Sequence, residues 1–209
     1  MAEKTLPGVT PKAAYHHGDL RAQLIAAATA LVEAHGPDGF SVAQAARLAG
    51  VSTAAPYKHF KDRDAILRGV VGAAMDRLRE AMEAGAAAQP QGSLEAVAAT
   101  GEAYIAFARR EPGLFRLTFG LTEGHEEDAE LLDKGRRCFG VLVGCVAAST
   151  GLPPDAPEVL RRAYILWSFV HGHAFLTIDR KNKVASAEAG DWGYLMEIGR
   201  AVLGDQRAP

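Results

Sequence analysis

The stretch FSVAQAARLAGVSTAAPYKHF, residues 40–60, decides the fold. Ser41-Val42-Ala43-Gln44 has the form of a capping box. In such a box the serine hydroxyl accepts from the backbone three residues on, and the glutamine side chain reaches back. The helix it opens is short. It runs to Ala49, where Gly50 can take the left-handed position after the last turn without steric cost. Val51 follows, then Ser52 or Thr53 as the next cap, and a second short helix through Phe60. With Thr53 as the cap, Pro56 falls in the first turn, where a missing N–H costs little. Two short helices joined by a Gly-Val-Ser turn make a helix-turn-helix pattern. Its first helix crosses a duplex backbone and its second fits a major groove about 12 Å wide.

The flanks complete a small helical unit. Leu20, Leu24, Ala27, Ala28, Leu31 and Val32 recur at helical spacing behind Asp19 as a cap, and Gly36-Pro37 and Gly39 close that helix. Asp62 caps a further helix carrying Ile66, Leu67, Val70, Val71 and Ala74 and running to about Ala84. Ser41, Ser52, Thr53, Ala54 and Pro56 are candidate DNA contacts. The small side chains of Thr53, Ala54 and Pro56 suit close approach to base edges, read through methyl groups and shape. Tyr57, Lys58 and His59 can donate to phosphate oxygens, and Lys61 and Arg63 follow. Arg63 stands in the first turn of the next helix, where backbone N–H groups attract phosphate. Phe60 reads as the core anchor of the second helix.

Beyond a Gly/Ala/Gln/Pro break at 84–93 the pattern stays helical. Segments at about 93–110 and 114–121 precede an acidic stretch, Glu123 to Glu130, that leads into a helix ending near Thr150-Gly151. Helices at about 158–178 and 192–203 follow, separated by a polar loop at 180–190. The expected class is all-α, without alternating strand patterns or internal repeats. Residues 1–16 read as an arm, 17–67 as a DNA-binding domain, and 68–209 as a larger helical domain. Apolar residues make up 48% of the 209, enough for a real core, and the formal net charge is −2. Residues 1–63 hold seven Lys/Arg against five Asp/Glu, which leaves −4 on the remainder. That asymmetry is too weak to argue for nucleic acid by itself. No secretory signal and no apolar run of spanning length is visible, so a cytoplasmic protein without membrane attachment is expected.

At this point a resemblance carries further. Gly18-Asp19-Leu20-Arg21, Phe40-Ser41-Val42, Ala45-Ala46, Gly50-Val51-Ser52, Tyr57-Lys58-His59-Phe60 and Asp64-Ala65-Ile66-Leu67 occur in order, and this stretch resembles the DNA-binding domain of tetracycline-repressor-type regulators. The family's tyrosine-x-histidine-phenylalanine signature falls on Tyr57, His59 and Phe60. The lysine common at the start of its fourth helix is Arg63 here, which keeps the charge but not the phosphate geometry. More loosely, Trp167, His171 and Gly172, preceded by residues 111–120, resemble one class of the family's C-terminal domains. The resemblance implies a two-fold homodimer, most often a repressor, that binds double-stranded operator DNA and is released by a small-molecule effector. The alternative is a helical small-molecule-binding protein whose helix-turn-helix no longer binds DNA specifically.

The effector pocket is expected inside the C-terminal helices, apolar with a few polar groups. Its candidate residues are Tyr104, Phe107, Phe115, Phe119, Leu142, Trp167, His171 and Phe175, each with plain core packing as the alternative. The helix over 158–178 is apolar on more than one side: Tyr164, Trp167, His171 and Ile178; Ala163, Leu166, Val170 and Ala174; Ile165, Phe169 and Leu176. A helix apolar all round must be buried all round. It therefore reads either as half of a four-helix dimer interface, with Leu195, Ile198 and Val202 beside it, or as a central helix. His171 and His173 point about 200° apart and cannot share one ion. His16-His17 belongs to the arm, and His125 to a polar helix start. Cys138 and Cys145 lie about 10 Å apart along one helix, too far to bridge, and read as reduced thiols, with a redox sensor as the alternative. No phosphate loop, nucleophile elbow or zinc spacing is present, so neither an enzyme nor a cofactor is expected.

Overall fold

The computed structural model describes residues 20–120, 128–181 and 190–204. Among the described residues the regular structure is eight α-helices and one 3₁₀ turn, with no strand. In order they are α1 (Leu20–His35), α2 (Val42–Leu48), the 3₁₀ turn (Pro56–Lys58), α3 (Arg63–Ala87), α4 (Leu94–Arg110), α5 (Pro112–Phe119), α6 (Ala129–Thr150), α7 (Pro157–Ile178) and α8 (Gly190–Leu203).

Local chemistry sets most boundaries. The Ser41 hydroxyl accepts from Gln44 N at 3.2 Å and donates to Gln44 Oε1 at 2.9 Å. Asp62 accepts from Ala65 N at 2.7 Å, and Ser93 from Ala96 N at 3.1 Å. Asp128 caps α6 through Glu130 N and Leu131 N. At the end of α2, Gly50 sits at φ 71°, with Gly50 N donating to Arg47 O and Val51 N to Ala46 O. Those two bonds satisfy carbonyls that the helix end would otherwise orphan.

The second short helix expected over 53–60 is a correction: only Pro56–Lys58 is helical, as a single 3₁₀ turn. Pro56 has no N–H to return to Ser52; Ala55 N to Ser52 O, Lys58 N to Ala55 O and His59 N to Pro56 O are of i→i−3 type, and one i→i−4 bond, Phe60 N to Pro56 O, closes the turn. The expected arm with His16-His17, the Asp19 cap and the polar stretch His125-Glu126-Glu127 lie outside the described residues.

Two apolar cores share the molecule. One joins α1, α2 and the start of α3 through Leu24, Ala28, Val32, Phe40, Phe60, Ile66 and Val70. The other joins the rest of α3 with α4 and α6–α8 through Leu78, Ile105, Phe107, Val146, Ala163 and Leu195. α3 runs unbroken through both. α5 is shared more intimately: Leu114 and Leu117 belong to the first core, while Phe115 is buried in the second and Phe119 packs against it. Helix α5 has no side-chain cap of its own. Glu33 of α1 supplies one, accepting from Leu114 N at 3.0 Å. Gly113 makes that approach possible, since a Cβ there would meet Val32 O at 2.9 Å and Glu33 Cα at 3.0 Å.

On α7, Val159, Ala163, Leu166, Val170 and Ala174 face the core. The opposite face leaves Leu160, Tyr164, Ile165 and Leu176 exposed, Tyr164 by 61%. α8 packs beside α7 with Leu195 and Met196 buried.

Candidate nucleic-acid interface and apolar cavity

The helix-turn-helix ends in an exposed rim. Ser52, Thr53, Ala54, Lys58, His59 and Lys61 are exposed, and Tyr57 is 60% exposed although it is a large aromatic. Phe60 turns the other way: it is buried, with the Arg21 guanidinium 5.3 Å from its ring centre.

Three of the expected DNA contacts sit differently. Pro56 is buried and wedges the turn against the small core, so it cannot approach bases. Ser41 spends its hydroxyl on capping α2. Arg63 folds back over the Phe40 ring and donates to Pro37 O and Phe40 O, tying the α1–α2 connection to the start of α3. Arg47, exposed in the last turn of α2, was not among the sequence candidates. Its signal was its position one residue before the exposed Leu48, at the edge of the turn.

A cavity of about 530 Å³ opens among α3, α4, α5, α6 and α7. Of the eight residues expected at a pocket, Tyr104, Phe119, Leu142 and Trp167 line it. Phe107 and Phe115 do not; both are fully buried core. Phe175 packs behind Phe115, with ring centres 5.1 Å apart. His171 stands one layer back, its Nδ1 2.8 Å from the Tyr104 hydroxyl. The sequence reading missed the α3 wall and, apart from Leu142, the α6 wall, chiefly Met75, Met82, Leu131, Arg136, Cys138 and Phe139.

Burial pushes the Tyr104 phenol far above its usual value, so it stays protonated. Burial also lowers His171, which keeps the ring neutral near pH 7 and able to accept from the phenol. Cys138 donates to Met75 O at 3.2 Å, and burial pushes its thiol up to about 11. A thiol so protonated is a poor nucleophile, which argues against redox sensing. Cys145 is also a free thiol, half-buried. His173 pairs with Asp191 at 2.9 Å, away from His171. Among the described residues no cluster of metal-ligating side chains exists, and no helix is long and apolar enough to cross a membrane.

A helical head that presents a helix-turn-helix rim, joined through α3 and α5 to a larger helical body, defines a class: DNA-binding transcription regulators. Residues 24–70 match the family described as bacterial regulatory proteins, tetR family. Residues 97–191 match the tetracyclin repressor-like C-terminal domain. The chain belongs to the tetR family of transcription regulators. Similar solved structures include a protein of unknown function from Rhodococcus sp. RHA1, with 27% identity and a TM-score of 0.71, covering 90% of this chain and 93% of that one. A tetR-family transcriptional regulator from Streptomyces coelicolor follows at 16% identity and TM-score 0.69, covering 87% and 79%. The transcriptional regulator FadR from Bacillus subtilis, solved in complex with stearoyl-CoA, has 17% identity and TM-score 0.66, covering 90% and 99%. The last two share the fold alone. No curated protein matches the chain.

Proposed function

We propose that the chain is a homodimeric repressor that grips a pseudo-palindromic operator and lets go when a small molecule enters the α3–α7 cavity. The observation that carries the coupling is α5. One of its faces, Leu114 and Leu117, lies in the core of the DNA-binding head; the other, Phe115 and Phe119, packs into the body, with Phe119 and Thr118 on the cavity wall. A ligand that displaces Phe119 must move or strain a helix that is also part of the head. DNA and effector affinities are then reciprocally linked.

The exposed outer face of α7, with α8 beside it, supports the dimer. Leu160, Tyr164, Ile165 and Leu176 are exposed on α7, and a second copy would cover them isologously. Two rims about 34 Å apart would then meet successive major grooves. Tyr57, Lys58, His59, Lys61 and Arg47 contact phosphates, and Ser52, Thr53 and Ala54 approach base edges. The acyl-CoA in the Bacillus subtilis structure agrees with a ligand site inside a body of this fold.

The test is selection of random duplex DNA by the purified protein at two salt concentrations, followed by a reporter placed behind the recovered site. An enriched inverted repeat with steep salt dependence, and a reporter silenced by the protein, supports the reading. An activated reporter would reverse the sign of regulation. No enrichment at either salt concentration would sink the DNA-binding role and leave a helical ligand-binding protein.

A further inference from the structure

We propose that the cavity is built for an anionic amphiphile, an apolar body bearing one carboxylate or similar anionic group, bound tail inward with its head at Arg136. This rests on reading the cavity as the effector site and adds the charge and orientation of what it holds.

The lining is apolar over most of its area: Val71, Met75 and Met82 from α3, Phe119 from α5, Leu131, Phe139 and Leu142 from α6, and Trp167 from α7. Among the described lining residues Arg136 is the one charged side chain. It is exposed, at the rim where Leu132 and the 61%-exposed Tyr164 also lie, so it marks the mouth.

The neighbouring bases on α6 are already neutralised. Lys134 pairs with Asp76 and Arg137 with Asp133. Arg136 makes no ion pair among the described residues. A guanidinium at the edge of an apolar cavity, without an ion-pair partner among the described residues, favours a planar anion that it can bind through two parallel N–H donors. The far end of the cavity is the reverse case. The Tyr104 hydroxyl is engaged by His171, and burial holds both ionisable groups neutral. The buried polar atom of the wall that lacks a partner is the neutral Thr118 hydroxyl, which can give one hydrogen bond but no opposite charge, so a carboxylate buried inside would stay uncompensated. The apolar end of the ligand belongs inside and the charge at the mouth.

Calorimetric titration of the full chain with dodecanoate and with dodecanol tests this, since the tails are the same and only the head differs. Dodecanoate should bind about tenfold or more tightly than dodecanol, the scale of a charge-assisted pair at a partly exposed site. Arg136→Gln should abolish that preference by weakening dodecanoate alone. Arg137→Gln, one residue along but ion-paired with Asp133, should retain it. Dodecanol bound as tightly as dodecanoate, or a preference that survives Arg136→Gln, overturns the charge inference and leaves the cavity a ligand site. No binding of either compound overturns both.

Discussion

Arg63 and Lys58 are five residues apart and both cationic, yet their surroundings assign them different work. Lys58 projects from the 3₁₀ turn into solvent, whereas Arg63 lies over Phe40 with its donors on Pro37 O and Phe40 O. Lys58→Ala is therefore expected to weaken binding to all duplexes alike and to flatten the salt slope by about one unit per half-site. Arg63→Ala is expected to lower folding stability by about 1–2 kcal/mol through the lost charge-assisted bonds, and to leave the slope nearly unchanged. Salt titrations of DNA affinity and urea unfolding of both variants check this pair of outcomes; a slope flattened equally by both would return Arg63 to the phosphates. His171 makes a pH prediction at the same scale. Its folded value is depressed by burial, so the unfolded chain binds more protons in the acidic range. Its contribution is complete above the unfolded value of about 6.5 and is lost as pH falls through the lower folded value. Urea midpoints should drop more for the native chain than for His171→Gln between pH 7.5 and pH 5. Equal drops would refute the assignment.

At the scale of elements, α5 is a helix of eight residues that owes its start to another helix. Pro112 has no N–H, and the third-position donor, Leu114 N, is satisfied by Glu33 of α1. Glu33→Ala should cost about 1 kcal/mol, as loss of a helix cap does. Gly113→Ala should cost about 1–3 kcal/mol, because its Cβ would press on the α1 backbone rather than on a side chain that can turn away. If α5 transmits the effector signal, either variant also shrinks the fold-change in DNA affinity caused by a ligand. Unfolding curves together with DNA titrations, with and without a bound ligand, separate the two effects. Unaltered coupling in both variants would move transmission to α3, the other helix shared by both cores.

At the scale of the whole molecule, α7 leaves Leu160, Tyr164, Ile165 and Leu176 exposed on one chain. Ile165→Glu combined with Leu176→Glu should place charges at the centre of the proposed interface, where no partner charge compensates them. Sedimentation should then report a monomer, and operator binding should fall with it, because one head holds only half a site. A dimer that survives both substitutions would place the interface elsewhere. The same face touches the effector question, since Tyr164 lies both on it and on the cavity rim.

Much of this fold was legible because helix ends depend on residues within about four positions of one another. The caps at Ser41, Asp62 and Ser93 and the left-handed Gly50 are local chemistry, and so the order of the helices and the helix-turn-helix rim followed from the sequence alone. Even locally the reach was limited: Pro56 was expected at the bases and is buried, because a proline that shortens a helix to a 3₁₀ turn also changes which face points inward. The cavity was not local at all. It is the space left where five helices fail to fill their common centre, a small difference between large packed volumes. Aromatic periodicity could point to Tyr104, Phe119 and Trp167 but could not tell them from Phe107 and Phe115, which carry the same pattern and are solid core. Arg136 as the one charge among the described residues of the mouth, Glu33 as the cap of α5, and Arg63 folded onto Phe40 each join residues distant in the chain or set a side chain's direction. Only the tertiary structure decided those, because it alone determines which surfaces meet.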